Sequence, residues 1–278
     1  MRKTIVRVTL VALVVLLAFG CGRNAERYTE RGNEYLRQGE LDKAIEQFQK
    51  AVQAEPGNAE AENTLGTALS MRGDFVPAIE HFRRAVALKD SFIVAHYNLG
   101  RALTETGDLL GALGEYQKIL QIDSTYALAY MTEGGVYVRL GQSDRAIDAY
   151  RRSLHFGPNL IQAYLSLAAV YVGTNNYDEA VKVLAQAREK DPRNSEVVAM
   201  AGRIAVLAKD LPTAIRLLQE ANKLNPQNPL SKNDLATALM LAGRKQEAIR
   251  QWEDILKMNP DPALEQVVKQ NLAKATTE

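Results

Sequence analysis

From Ala25 to Pro262 the chain repeats itself every 34 residues, seven times over, with no insertion or deletion. A strict period of this length makes every copy the same small unit and gives each copy its own duplicate as a neighbour. Such a chain stacks in one dimension instead of folding around a single centre. The copies run 25–58, 59–92, 93–126, 127–160, 161–194, 195–228 and 229–262.

Superposing the copies shows what the unit needs. Repeat position 20 is alanine in all seven (Ala44, Ala78, Ala112, Ala146, Ala180, Ala214 and Ala248). Position 8 is Gly or Ala: Gly32, Gly66, Gly100, Gly134, Ala168, Gly202 and Ala236. Residues this small let two helices approach where they cross, and a larger one would force shifts costing about 1–3 kcal/mol. Position 24 is large: Phe48, Phe82, Tyr116, Tyr150, Leu184, Leu218 and Trp252. Positions 4, 7, 8 and 11, and then 20, 21, 24, 27 and 28, have helical spacing, so each unit reads as two amphipathic helices. Gly39, Gly73, Gly107, Gly141 and Gly243 end the first helix, with Asn175 and Lys209 in the other two units. Gly and Asn accept the left-handed conformation of that position, and Lys209 accepts it less comfortably. Pro56, Pro158, Pro192, Pro226 and Pro260 stop the second helix.

Gly or Ala at 8, Ala at 20, an aromatic at 24 and Pro at 32 resemble the tetratricopeptide repeat (TPR) family over residues 25–262. The resemblance implies an all-α fold, a TPR right-handed superhelical solenoid of seven helix-turn-helix repeats plus a C-terminal capping helix. Residues 263–278 are expected to form that helix and its tail, with Leu264, Val267, Val268 and Leu272 on one side and fraying from Thr276. Some residues depart from the pattern. Arg31 and Glu133 stand at the apolar position 7, Glu62, His96 and Lys232 at the aromatic position 4, and Asp90 and Ser124 at the proline position. These departures put local packing in question.

The start of the chain has a different character. Arg2, Lys3 and Arg7 precede the apolar run Val8 to Phe19, and the one cysteine, Cys21, follows it. This is a basic segment, a short apolar segment and a small-residue cleavage context, so 1–20 reads as a signal peptide and 21–24 as a lipidated N-terminus and short linker. As a helix the run would span ~18 Å, short of the ~30 Å hydrocarbon core. Leu17-Ala18-Phe19-Gly20-Cys21 resembles the lipobox of bacterial lipoproteins, whose Cys receives the lipid, although that family prefers Leu where Ala18 stands. Ordinary secretory cleavage after Gly20 and retention as an uncleaved anchor stay open. Gly22 lacks the Asp that retains lipoproteins in the inner membrane of some bacteria, which favours the outer one.

Chemistry is sparse. A single Cys excludes an internal disulfide and a Cys-cluster metal site. Without the first twenty residues the chain holds 31 basic and 33 acidic groups, a balance that gives nucleic-acid binding no support. His81, His96 and His155 lie in unrelated places, each the common case of a structural or solvated histidine, and no nucleophile, metal or phosphate-loop pattern is present. Neither a catalytic residue nor a cofactor or metal is expected, and the chain reads as a binding protein rather than an enzyme.

In the TPR family the first helices line the concave face, where positions 2, 5, 9, 12 and 13 meet the ligand. Carried onto this sequence, they imply a groove lined by Tyr97, Arg101, Leu128, Met131, Val138, Arg139, Leu165, Val172, Arg203 and Val206. The apolar members would take an amphipathic helix or extended peptide, and the three arginines would meet its acidic groups. The opposite reading, that part of the stripe packs inside the superhelix, has equal standing. The carboxylate clamp of some TPR proteins needs Lys and Asn at positions 5 and 9 of the first unit, where Thr29 and Asn33 stand. The resemblance extends in general architecture to TPR lipoproteins such as pilotins of type IV pili and adaptors of cell-wall enzymes. It implies a lipid-anchored, periplasm-facing scaffold, monomeric outside its complex, with protein partners in the cell envelope. An anchored adaptor with an uncleaved helix, or a small-ligand carrier, is the alternative.

Overall fold

The structure, a computed structural model, describes residues 24–277, and among these every regular element is helical. The signal peptide and Cys21 lie outside the described residues. The helices pair by repeat. They are α1 (24–37) with α2 (Leu41–Ala54), α3 (Ala59–Arg72) with α4 (Phe75–Leu88), and α5 (Ile93–Thr106) with α6 (Leu109–Ile122). Then come α7 (Ala127–Arg139), α8 (Ser143–Phe156), α9 (Ile161–Gly173) with α10 (Tyr177–Lys190), and α11 (Ser195–Leu207) with α12 (Leu211–Leu224). The chain ends on α13 (Pro229–Leu241), α14 (Lys245–Lys257) and α15 (Pro262–Thr277). Contacts gather these into two compact units, the first ending at Leu140 and the second starting at Gly141. The division falls inside the fourth repeat, where the sequence suggested one uninterrupted array.

In each unit a helix packs on the next in sequence, and first helices also touch the first helices of adjacent repeats: α3 on α5 and α5 on α7, then α9 on α11 and α11 on α13. The hairpin closes through position 24. Phe48, Phe82, Tyr116 and Leu218 are all buried, and a Cβ added at Gly32, Gly66, Gly100 or Gly202 would collide with them. At Gly100 it would sit 2.6 Å from the Tyr116 ring. The small residue at position 8 is therefore the seat of the position-24 side chain in its own repeat.

Turns obey the same logic. In the sixth repeat Asp210 N–H donates to the Ala205 carbonyl and Lys209 N–H to the Val206 carbonyl, a double closure that requires a left-handed residue between them. Lys209 takes that conformation at φ 61°, where five repeats use Gly and the fifth uses Asn175 at φ 60°. Caps supply further order that the periodicity did not reveal. Asn58, Asn194 and Asn228 accept backbone N–H bonds at the starts of α3, α11 and α13, and Asp108 and Asp210 do so at α6 and α12. In α15 Leu264, Val268 and Ala275 are buried, but Val267 is exposed, contrary to the expected stripe. Helix also continues through Thr277, with the Thr276 hydroxyl bonded to the Leu272 carbonyl, where fraying was expected.

The departures at position 4 have partners. Glu62 is buried and its carboxylate meets His81 Nδ1 at 2.6 Å. One repeat on, His96 Nδ1 meets Glu115 at 2.6 Å. These are the same two slots, positions 4 and 23, with acid and imidazole exchanged, so the two histidines are not in unrelated places. His96 Nε2 also lies 2.9 Å from the Asp90 carbonyl. Tyr130 and Tyr164 use their hydroxyls in the same way, donating to the carbonyls of Ser124 and Pro158. Position 4 thus fastens the third, fourth and fifth repeats to the linkers before them. Glu133, the departure at position 7, is buried and accepts from the Tyr137 hydroxyl.

Two outcomes follow. A left-handed L-residue costs about 1–2 kcal/mol and glycine gives part of that back through the freedom of the unfolded chain, so Lys209→Gly should raise unfolding stability by about 0.5–1 kcal/mol in chemical denaturation. His96 faces an oxygen on each ring nitrogen, an arrangement that favours the imidazolium. Its pKa is raised above the usual 6.5 by the bond to Glu115, with burial opposing. A raised folded value means that this stabilisation is complete below the unfolded pKa of about 6.5 and is lost as pH climbs through the folded one. Denaturation series across that range should show stability falling with rising pH, and His96→Tyr, which keeps a donor for Asp90, should flatten the slope.

Candidate functional site

The first helices of each unit share a face, and the side chains there differ between the two units. On the first unit, α3, α4 and α5 bound a cleft of about 230 Å³ with Met71, Phe75 and Phe82 as apolar lining and Thr67, Asn98, Arg101 and Glu105 as polar lining. Asn98 Nδ2 donates to Asn63 Oδ1 at 3.0 Å and to the Thr67 hydroxyl at 3.3 Å, which fixes its amide across the two helices. Arg101 is exposed, its guanidinium 6.0 Å from the centre of the Tyr97 ring. Tyr97 is half-buried, and burial pushes its hydroxyl pKa up while Arg101 opposes. Arg101 has no anionic partner among the described residues.

Arg139 and Arg203 are committed elsewhere. Arg139 on α7 donates to the Thr104 carbonyl in the last turn of α5, a favourable place for a cation at a helix C-terminus. Arg203 on α11 pairs with Asp234 on α13 at 2.9 Å. Burial raises the Asp234 carboxyl pKa despite that arginine, so the pair holds an otherwise costly buried charge. The expectation of three arginines reading acidic groups therefore reduces to Arg101. The other two fasten neighbouring first helices to each other, across 35 and 31 residues of sequence.

The apolar residues also sort themselves. Leu128 and Met131 on α7 are half-buried and Val138 is exposed. On the second unit Val172 and Val206 are half-buried, but Leu165 is only 5% exposed and belongs to the core rather than to a groove. Leu207 and Leu241, with exposures of 50% and 59%, extend beside half-buried Val206 and Met240 as an uncovered shelf along the ends of α11 and α13. Sequence reasoning chose Val206 and passed over Leu207 and Leu241, although positions 12 and 13 were both in view. It missed Asn98 because position 6 was not among the positions considered, and passed over Asn63, which stands at position 5 of the second repeat. Among the described residues no cluster of His, Cys, Asp and Glu could hold a metal, and no helix is long and apolar enough to cross a membrane.

Tetratricopeptide repeat models match residues 29–91, 137–204 and 205–270. No curated protein matches the chain. Among solved structures, MamA is 32% identical with a TM-score of 0.55, covering 59% of this chain and 96% of its own. A tetratricopeptide repeat protein from Parabacteroides merdae superimposes over 92% of this chain and all of its own length, with a TM-score of 0.69 at 19% identity. Pseudomonas aeruginosa pilF covers 76% of this chain and 96% of its own, with a TM-score of 0.61 at 21% identity, a likeness of fold. The period, the hairpins and the matched models agree: the chain belongs to the tetratricopeptide repeat family.

Proposed function

We propose that this protein is a non-catalytic scaffold of the bacterial cell envelope that captures a segment of a partner protein on its first-helix faces and so helps to assemble or stabilise a complex. The observation that carries the reading is the uncovered shelf of Val206, Leu207, Met240 and Leu241, four apolar side chains contributed by two consecutive first helices. Such contiguous apolar surface is characteristic of interaction sites. On the first unit the same helix face supplies an unpaired guanidinium and oriented amides, groups suited to an acidic or extended segment. YrrB, a TPR protein of similar fold, is described as having an unusual peptide-binding site, which is in keeping with this use of the fold.

The envelope part of the proposal rests on the leader. A basic start, an apolar run and a sole cysteine directly after Gly20 support lipidation at Cys21 and a periplasm-facing, outer-membrane location. Lipid on that residue would hold the array at the membrane, where two or more acyl chains give a stable anchor.

Leu207→Asp with Leu241→Asp tests the shelf. Proteins recovered with the full chain from solubilised envelopes should fall by about tenfold, the effect of losing ~1.4 kcal/mol, while the helical spectrum is unchanged. Undiminished recovery removes the shelf as the site. Metabolic labelling with a palmitate analogue tests the anchor: Cys21→Ser should abolish the label, and label that survives removes the lipoprotein reading.

A further inference from the structure

The second helices carry a charge pattern that peptide capture leaves unused. At repeat position 22, α2 and α4 hold Glu46 and Glu80, whereas α10, α12 and α14 hold Lys182, Arg216 and Arg250. One turn on, at position 26, the signs exchange: Lys50 and Arg84 on α2 and α4, then Glu220 and Asp254 on α12 and α14. All are exposed except Glu220, which is half-buried. The helix between, α8, keeps the first order with Asp148 and Arg152.

Intrahelical pairing does not explain the exchange. An acid placed four residues before a base is the better order on any helix, and α12 and α14 have the worse one. Nor are the groups at position 22 spent inside the chain, since Glu46, Glu80, Arg216 and Arg250 make no ion pair among the described residues. The two acids stand one repeat apart on adjacent hairpins, and so do the two arginines. Both pairs are 34 residues apart in sequence.

We propose that the α2–α4 face of one copy docks on the α12–α14 face of a second copy of this chain, with facing helices parallel and the two stacks running in opposite directions. Glu46 then meets Arg250 and Glu80 meets Arg216. The same register sets Lys50 against Asp254 and Arg84 against Glu220, although Asp254 also pairs with Lys257, Glu220 with Arg188 and Arg84 with Glu62 inside the chain, and it brings exposed Val76 opposite exposed Pro212. An α2–α4 face opposed to its own duplicate would set acid against acid, so like faces repel and unlike faces attract. The surface is separate from the first-helix faces used above, and the chain associates instead of remaining monomeric. Contacts of this kind are weak singly and screened by salt.

The test is sedimentation of the full-length chain in detergent, at ~20 mM and at about 0.5 M salt. Association at low salt that is lost at high salt is expected. Arg216→Glu with Arg250→Glu, and separately Glu46→Lys with Glu80→Lys, should each weaken it by about tenfold or more. An equimolar mixture of the two double variants should restore it, because the reversed faces are again complementary. Arg193→Glu with Lys269→Glu changes net charge as the arginine variant does but touches neither face, and should associate like the unaltered chain. The proposal fails if the unaltered chain does not associate, if the face variants associate normally, or if mixing the two face variants restores nothing.

Discussion

Each hairpin rests on a large side chain laid on a residue too small to obstruct it. Where Tyr116 lies on Gly100, one missing methyl group sets how close α5 and α6 can come. That separation also brings positions 4 and 23 within hydrogen-bonding range, so that His96 and Glu115 can meet at 2.6 Å. It leaves the first helices free to pack on their counterparts in adjacent repeats, which gives each unit a common face. The shared first-helix face is thus a by-product of how tightly a hairpin closes.

The fold was legible because its determinants repeat. Alanine at position 20 and a large residue at 24 occur seven times in phase, and no local exception can hide such a signal. Turn chemistry was legible for the same reason, down to the uncomfortable Lys209, whose φ is 61°. The division at Leu140 was not, since the fourth repeat has the same period as the rest. The histidines were misread because the informative quantity is a pair 19 residues apart. Glu62 with His81 and His96 with Glu115 exchange chemistry between the two slots, so neither column shows a constant residue type.

The candidate site was legible in outline and wrong in its charges. A period tells which residues share a face but not what lies across from each of them. Arg139 and Arg203 sit on the expected helices, and their partners Thr104 and Asp234 come from neighbouring repeats. Leu165 illustrates the complementary error: its repeat position was expected to line a groove, yet the side chain is buried. Only the exposure of individual side chains separated that core residue from Leu207 and Leu241.

The hydroxyls and the imidazole at position 4 also bear on how the stack would yield. His96, Tyr130 and Tyr164 each clasp the carbonyl of the linker that precedes their own repeat, so a pull along the chain must first break that clasp. Glu62 turns its carboxylate to His81, Val198 has no polar group, and Lys232 makes no bond to its linker among the described residues, so the joints before the second, sixth and seventh repeats are without the clasp. Under tension, or in thermal fluctuation, hairpins would part first at those three seams. Shedding of the end repeats would then run inward until it reached a fastened joint.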